Sequence, residues 1–392
     1  MKTLWVVLIV AVVLIVAAGA LTFVATREIQ PIEGTTIDVS LKSFKAPAKD
    51  FVMEDGVMAV GTLEGGLKFT TDANTKYPIA SIAKMITLLV VLEAKPVEAD
   101  GGPIITMSSE DDSRWWKTVS ENGTNLKVVD GQQLKLRQIM EGIALSSANN
   151  LADSLVIWAF GSFDEYKTEA TKWLAEKGLK DTVIGADASG LDPGTVSTTT
   201  DLIKLGQLVM KNQLLREIVG QKTAVFPEIG EIENLNLLVG ENGFIGIKTG
   251  STAEAGDGLL FANKLDREII IGVVLGQKTN EKRFSESERV MEFARTQVET
   301  LTLPAGSLVG RYSLPWSLMV KVVTDREIKC QVWFGDELKP KIKLDDIDKE
   351  YQAGEGVGEI TVCGKKAKLI LDDNIIFPDH FWKITNIDKL VF

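Results

Sequence analysis

The chain has 392 residues, 45% of them hydrophobic, with 54 acidic against 43 basic side chains and a formal charge of −11. That length and apolar content can bury a large core and point to two domains. The acidic balance argues against nucleic acid, which needs basic patches for phosphate.

In chain order, Leu4 to Ala25 carries no charge. A helix of about 20 residues at roughly 1.5 Å each crosses the ~30 Å hydrocarbon layer. Residues 1–26 therefore read as an uncleaved anchor in the cytoplasmic membrane with the body outside. The alternative is a secretion signal cleaved near Ala25, although such signals have a shorter apolar region of roughly 7–15 residues. Either reading exports the chain. Residues 27–50, with Pro31, Gly34 and Pro47, read as a linker. Val57 to Val60 and Leu67 to Thr70 then form two strands joined at Glu64-Gly65-Gly66.

Tyr77 to Pro96 reads YPIASIAKMITLLVVLEAKP. Pro78 suits the first turn of a helix, the run after Lys84 is apolar nearly all round as in a buried helix, and Pro96 ends it. Positions three apart share a face, so the Lys84 amine can reach the Ser81 hydroxyl. The helix N-terminus favours developing negative charge there. A polar pair in such a helix is costly to keep unless it faces a cleft.

Residues 108–130 are polar and read as a long loop, in which Trp115 and Trp116 either line a cleft or lie half-buried against the body. Leu134 to Leu145 is an amphipathic helix that breaks at Ser146-Ser147-Ala148-Asn149-Asn150 before a second apolar helix. Polar side chains at such a break are caps or site residues. Ser162 with Glu165 opens a helix that Gly178 closes. Residues 188–194 form a turn cluster, and Ser197 to Thr200 cap a helix running to about Met210. Between Gly240 and Gly276 the rhythm is that of adjacent antiparallel strands: one ends at Lys248-Thr249-Gly250, and Ile269 to Leu275 follows the charged turn Lys264, Asp266, Arg267, Glu268. Residues 281–300 read as helix. The fold class is thus α/β, with an antiparallel sheet packed by helices and a helical subdomain over residues 51–302. A small all-β domain follows over 303–392, with strands near 318–323, 328–334, 341–344, 359–362 and 368–370.

One histidine, His380, and two cysteines, Cys330 and Cys363, cannot build the usual zinc ligand sets, so no metal or other cofactor is expected. A Ser-His-Asp enzyme needs an imidazole beside its serine, and His380 lies in the β domain as an ordinary packed or surface residue. A serine hydrolase built on this chain takes its base from a lysine or a carboxylate. In an oxidising compartment Cys330 and Cys363 can pair. Cys330 also fits a plain buried thiol on the apolar face of its strand.

Ser-x-x-Lys occurs once, at Ser81. Ser-x-Asn occurs at Ser120-Glu121-Asn122, in the polar loop, and at Ser147-Ala148-Asn149, pinned between apolar helices; the second is the candidate. Of several Lys-Thr pairs only Lys248-Thr249 has a following glycine and ends a strand. Each piece alone fits a cap, a helix break or a strand end. In this order they are the motif set of penicillin-binding proteins and related β-lactamases.

Through these motifs and the segments LKLRQIMEGIALSSANNLADSL, ASGLDPGTVSTTTDLIKLGQ and GIKTGSTAEAG, residues 50–300 resemble the serine D-alanyl-D-alanine carboxypeptidases, the low-molecular-mass penicillin-binding proteins of peptidase family S11. The 303–392 part resembles, by position, the β domain that commonly follows. The resemblance implies a β-lactamase/transpeptidase-like fold and removal of the terminal D-alanine from peptidoglycan stem peptides ending in D-Ala-D-Ala, outside the cytoplasmic membrane, with β-lactam antibiotics as inhibitors. It assigns attack and acylation to Ser81 and proton abstraction to Lys84, whose pKa burial and a neighbouring Lys248 would depress. Ser147 relays a proton to the leaving amine, and Asn149 bonds the peptide amide. Lys248 and Thr249 hold the terminal carboxylate, Gly250 lets the strand lie close to the ligand, and the N–H groups of Ser81 and Ser251 form the oxyanion hole. Two rivals stand beside this reading. A β-lactamase of the class A type needs a deacylating glutamate, and no Glu-x-x-Leu-Asn follows Ser147, Asp181 and Asp187 being the nearest acids. A catalytically weak, membrane-tethered cell-wall binding protein would keep the fold without turnover.

Overall fold

Backbone contacts divide the chain into two units, Met1–Pro47 with Gln297–Phe392, and Ala48–Thr296. The computed structural model describes residues 2–39, 41, 51–97, 101–265, 268–334 and 338–387. Asp266 and Arg267 of the expected charged turn, residues 40 and 42–50 of the expected linker and the last five residues of the tail lie outside these.

The chain opens with helix α1 (Lys2–Thr26), whose described side chains are almost all exposed. Part of the segment read as linker supplies strand β1 (Thr35–Thr36), taken up with the C-terminal sheet below. The Ala48–Thr296 unit begins with the hairpin β2 (Val57–Thr62) and β3 (Gly66–Thr70). Then follow β4 (Tyr77–Pro78), a 3-10 turn (Ala80–Ala83), α2 (Lys84–Ala94) and β5 (Ile104–Thr106). The helical portion runs through α3 (Ser109–Ser120), β6 (Gln133–Lys135), α4 (Leu136–Ala144), α5 (Asn149–Phe160), α6 (Phe163–Glu176), β7 (Val196–Ser197), α7 (Thr199–Lys211) and α8 (Gln213–Val219). After the small hairpin β8 (Thr223–Phe226) and β9 (Gly230–Glu233), the strands β10 (Phe244–Thr252), β11 (Gly256–Leu265) and β12 (Glu268–Gln277) lead to α9 (Asn280–Thr296).

The sheet of this unit is antiparallel in the order β10-β11-β12-β2-β3. The run Ile269–Leu275 reads as apolar without alternation because β12 lies mid-sheet with both faces covered. Along β11 the alternation sends Leu260 and Ala262 into the cluster shared with α2 and α7, and leaves Leu259 and Phe261 for the other face. Helix α7 starts where Thr198 accepts the Asp201 N–H at 3.2 Å, an N-cap of the ordinary kind.

Three local expectations are corrected. Pro78 does not open a helix: β4 pairs with β7, and the Ile79 N–H reaches Thr195 O at 3.2 Å. This pairing holds the chain extended until the 3-10 turn. The polar stretch 108–130 is not all loop, because Ser108 and Asp111 cap each other's backbone and start α3. Trp115 lies half-buried there, its Nε1 donating to Asn125 Oδ1 at 2.8 Å, while Trp116 is exposed. The helix expected over 281–300 ends at Thr296, and strand β13 (Val298–Leu303) follows at once.

The other unit continues through β14 (Leu308–Tyr312), β15 (Val320–Thr324), β16 (Ile328–Trp333), β17 (Lys341–Leu344), β18 (Gly356–Val362), β19 (Lys365–Leu371) and α10 (His380–Thr385). One sheet has the order β1-β14-β15-β19-β18-β17, and β13 pairs with β16. A bridge from Ile32 to Ile347 adds a second tie to the expected linker. The core gathers Val309, Tyr312, Val322, Val357, Ile360 and Leu369. Cys330 and Cys363 are joined in a disulfide, Cα atoms 6.2 Å apart.

Phe261 and Gly272 face each other across β11 and β12, and a Cβ built on Gly272 would lie 2.0 Å from Phe261 Cζ. The ring is itself wedged against Phe244, 5.3 Å between centroids. Gly272→Ala is therefore expected to cost about 1–3 kcal/mol through overpacking. Urea unfolding reads this as a lower midpoint at unchanged slope.

Candidate active site

The Ala80–Ala83 turn that carries Ser81 is gripped by backbone on two sides. A Cβ on Gly190 would lie 2.1 Å from Ala80 O, and one on Gly250 would lie 2.7 Å from Ile79 O. Gly190 also has φ +82°, a conformation open to glycine at little cost. Ala80 itself takes φ +46°. The turn thus presents Ser81, partly exposed, at the start of an otherwise buried helix.

Lys84, one helical turn on, is fully buried. Its Nζ bonds Ser81 Oγ at 2.7 Å, Asn149 Oδ1 at 2.6 Å and Ser189 O at 2.9 Å. Burial pushes this amine down to about 7, against the opposing pull of the Asp187 and Asp153 carboxylates. Desolvation of the ammonium, expected together with a neighbouring lysine, is the principal cause. As a neutral amine Lys84 has two N–H groups, enough for Asn149 and Ser189. Its lone pair is then left for the Ser81 hydroxyl proton.

Asn149 starts α5, its own N–H held by Thr124 O at 2.8 Å, and Asn150 bonds both the N–H and C=O of Leu126. Between α4 and α5, Ser147 is buried at φ +60°, a strained conformation for a non-glycine residue. Gly123 abuts the Asn149 amide: a Cβ there would lie 3.1 Å from Asn149 Nδ2.

Lys248 is buried on β10, its Nζ donating to Thr249 O at 3.2 Å. Its pKa is depressed by burial first and then by the charges of Lys84 and Arg283. Thr249 is buried beside it, and Gly250 brings β10 against the Ser81 turn rather than leaving space for a side chain. Ser251 is exposed and shares Asp257 with Arg283, whose Nη1 reaches Ser251 Oγ at 2.8 Å and Gly250 O at 3.3 Å.

Ser81, Lys84 and Asn149 are thus in direct contact, and Lys248, Thr249 and Gly250 come to the same turn on β10. Four contributors carry no motif of their own. Asp187 gathers the N–H groups of Ser189, Gly190 and Leu191 on Oδ1 and that of Asp192 on Oδ2, at 2.6–3.1 Å. It thereby shapes the strap that offers Ser189 O to Lys84. Burial opposes its ionisation, yet the Ser189 hydroxyl, donating to Oδ1 at 2.7 Å, and these N–H bonds hold it below the usual carboxylate range. Asp153 is pushed up to about 6 by burial and by Asp187. The turn composition at 188–194 was the signal for the strap; for Arg283, on a helix after the last strand, no local signal exists. Among the described residues no group of three His, Cys, Asp or Glu is placed to hold a metal.

Residues 53–279 match the family model of D-alanyl-D-alanine carboxypeptidase, peptidase S11. The D-alanyl-D-alanine carboxypeptidase DacF of Bacillus subtilis is 24% identical over 310 residues, covering 76% of this chain and 78% of that protein. A D-alanyl-D-alanine carboxypeptidase of a Streptomyces species, strain K15, is 24% identical, covering 63% of this chain and 89% of its own. Among solved structures, penicillin binding protein 5 of Haemophilus influenzae superposes with a TM-score of 0.61 at 20% identity, over 83% of this chain and 99% of its own. The Streptomyces K15 DD-transpeptidase superposes with a TM-score of 0.57 at 23% identity, over 63% and 98%. The two superpositions show the fold.

With lysine side chains labelled at 13Cε, the Lys84 resonance, assigned through Lys84→Arg, is expected to titrate near 7; a midpoint near the ordinary value of about 10.4 contradicts the burial argument. Asp187→Asn removes a carboxylate that favours the charged amine, so the same midpoint is expected to move lower still.

Proposed function

The chain belongs to the D-alanyl-D-alanine carboxypeptidase family, peptidase S11, and is a serine-type DD-carboxypeptidase; from that premise we propose that it works through an acyl-enzyme on Ser81, is inhibited by penicillin, and trims peptidoglycan stem peptides ending in D-Ala-D-Ala. The observation that carries the mechanism is the buried Lys84 amine bonded at once to Ser81 Oγ, Asn149 Oδ1 and Ser189 O.

In this reading neutral Lys84 takes the Ser81 proton as Oγ attacks the carbonyl of the penultimate D-alanine. The negative oxygen of the tetrahedral intermediate is held by the N–H groups of Ser81 and Ser251, where loss of one donor costs about 10²–10³ in rate. The C–N bond breaks as the proton passes through Ser147 to the D-alanine amine. Water then attacks the ester, giving its proton to Lys84, and Ser81 leaves protonated. The substrate carboxylate bonds Lys248 and Thr249, with Arg283 a further cation beside Ser251. Asn149 is held by Lys84 through its oxygen, which leaves its amide hydrogens for a substrate carbonyl.

The β-lactamase rival needs a carboxylate free to activate the deacylating water. Asp187 is occupied by its strap, and Asp181 is on the surface, 3.7 Å from Lys76. A slowly hydrolysed penicilloyl adduct is the expected consequence, and rapid turnover of a chromogenic cephalosporin would favour the rival. Absence of D-alanine release from a D-Ala-D-Ala peptide would favour the cell-wall binding reading instead. For location, an 18-residue stretch within Leu4–Thr26 of α1 has a mean hydropathy of 3.1 and none of it is buried. That supports a single-pass anchor with the enzyme outside, and a cleaved signal is the alternative.

Ser81→Ala is expected to abolish labelling by a fluorescent penicillin and release of D-alanine while the circular dichroism spectrum is kept; labelling at full strength rules out the nucleophile. Lys84→Arg is expected to cut acylation by about 10²–10⁴. Because the base form of Lys84 exists above about 7, the second-order acylation rate should fall as pH drops through 7, about tenfold per pH unit well below it. A rate flat from pH 5 to 8 contradicts Lys84 as the base.

A further inference from the structure

The outer face of the six-stranded sheet in the C-terminal unit is rich in cations. Along β17, Ile342 and Leu344 pack against the core, which leaves Lys341 and Lys343 on the opposite face. The ladder sets Lys343 beside Glu359 and Glu359 beside Lys368; in the next row Lys341 stands beside Thr361 and Thr361 beside Lys366. Beyond β19, Lys321 of β15 lies directly opposite Arg311 of β14. All six cations are exposed. Glu359 is the one acid in these five strands, and Lys366 takes it at 2.8 Å. The acids at the margin are occupied too. Asp372 holds the Lys321 N–H at 2.8 Å and lies 3.7 Å from its amine, and Asp325 holds the Lys368 N–H at 3.0 Å. Among the described residues Arg311, Lys341, Lys343 and Lys368 have no ion-pair partner. Like charges directly opposite each other weaken a strand pair, so this face costs the fold stability. A local rule broken without compensation inside the fold points to a functional surface.

We infer that this lysine face docks the polymer substrate itself, through the carboxylates of stem peptides other than the one being cut. The inference rests on the reading that the chain trims stem peptides ending in D-Ala-D-Ala. Each such stem ends in a carboxylate, and hydrolysis leaves a new carboxylate on the shortened stem. A strand of these stems is therefore a polyanion before and after reaction, and it matches the face in sign and in repetition. Lysine amines meet carboxylates in charge-assisted bonds, and exposed pairs of this kind are weak singly. Several on one polymer add through effective concentration. The chain as a whole carries −11, but screening over about 8 Å at physiological salt lets the face act by its own charge. The active site thus receives its stem from a strand already held, and free peptide gains nothing from the face.

The full chain in neutral detergent, with Lys341, Lys343 and Lys368 all changed to Glu, tests this on two substrates: a free peptide ending in D-Ala-D-Ala, and soluble uncrosslinked glycan strands bearing the same stems. On strands KM is expected to rise about tenfold or more at unchanged kcat, while both constants on free peptide stay within about twofold. The same three lysines changed to Gln should fall between, and they carry the test if the Glu variant does not fold. Added salt should raise the wild-type KM on strands more steeply than that on free peptide. Strands already trimmed should compete with strand substrate, and trimmed strands with their carboxylates amidated should not. An unchanged KM on strands in both variants overturns the inference. Equal competition by amidated strands, or stronger competition by poly(glycerol phosphate), also overturns it by assigning the face to another ligand. If the wild-type chain releases no D-alanine from the free peptide, the Ser81 reading fails and takes this inference with it; normal release without a lysine effect on strands overturns the docking face alone.

Discussion

The bond from the buried Lys84 Nζ to the partly exposed Ser81 Oγ, 2.7 Å long, sets a condition that the rest of the enzyme unit has to meet. An amine moved from water into this interior resists protonation, and a fall from the ordinary 10.5 to about 7 corresponds to about 5 kcal/mol between its charged and neutral forms. An isolated lysine in a core would simply be a defect. Here Asn149, Ser189 and Ser81 take every polar contact the amine can make, while the Asp187 and Asp153 carboxylates act against burial and favour the charged form. The result is a group poised near neutrality, where a general base is most effective.

Holding that geometry falls to backbone more than to side chains. Gly190 and Gly250 let two separate segments approach the Ser81 turn to distances a Cβ would forbid. The strap that bears Gly190 is itself set by Asp187, whose two oxygens collect the N–H groups of successive residues. Below the strap, Thr87 on α2 donates to Ala188 O at 2.7 Å and bonds the buried Tyr166 hydroxyl at 2.8 Å. The same helix thus carries the amine and supports the loop that answers it. Rigid support of this kind is what keeps reacting groups within the small tolerances that catalysis demands.

The C-terminal unit obeys different physics. Its strands are short and its core is modest, and closure comes from ties between positions distant in the chain. The disulfide links β16 to the β18–β19 turn, Tyr312 donates its hydroxyl to Asp345 O, and Thr35–Thr36 adds an edge strand from before the enzyme unit. The chain leaves this unit after α1 and β1 and returns to it at β13, so both ends of the enzyme unit connect to the same body.

Much of this was legible in the residues alone. The span of α1, the strands β10 to β12, the helices flanking Ser147 and the sheets of the C-terminal part declare themselves through apolar period and turn chemistry, which are local properties. The Ser81, Ser147 and Lys248 motifs were found because order and context make three weak patterns into one strong pattern. Tertiary structure decided what local pattern does not encode. Pro78 became strand because β7, over a hundred residues away, supplies its partner. Asn149 turned its oxygen to Lys84, and Ser189 and Asp187 joined the site through a backbone carbonyl and a loop whose identity no side-chain spacing reveals. Arg283 reached Ser251 only because α9 packs back on the sheet. Cys330 and Cys363, whose residues alone allowed either a pairing or a plain buried thiol at Cys330, are joined because β16 and the β18–β19 turn bring their Cα atoms to 6.2 Å. Sequence named the candidate reactive groups, since their chemistry is intrinsic; their environment, and with it the state of the Lys84 proton, is a property of contacts that only folding creates.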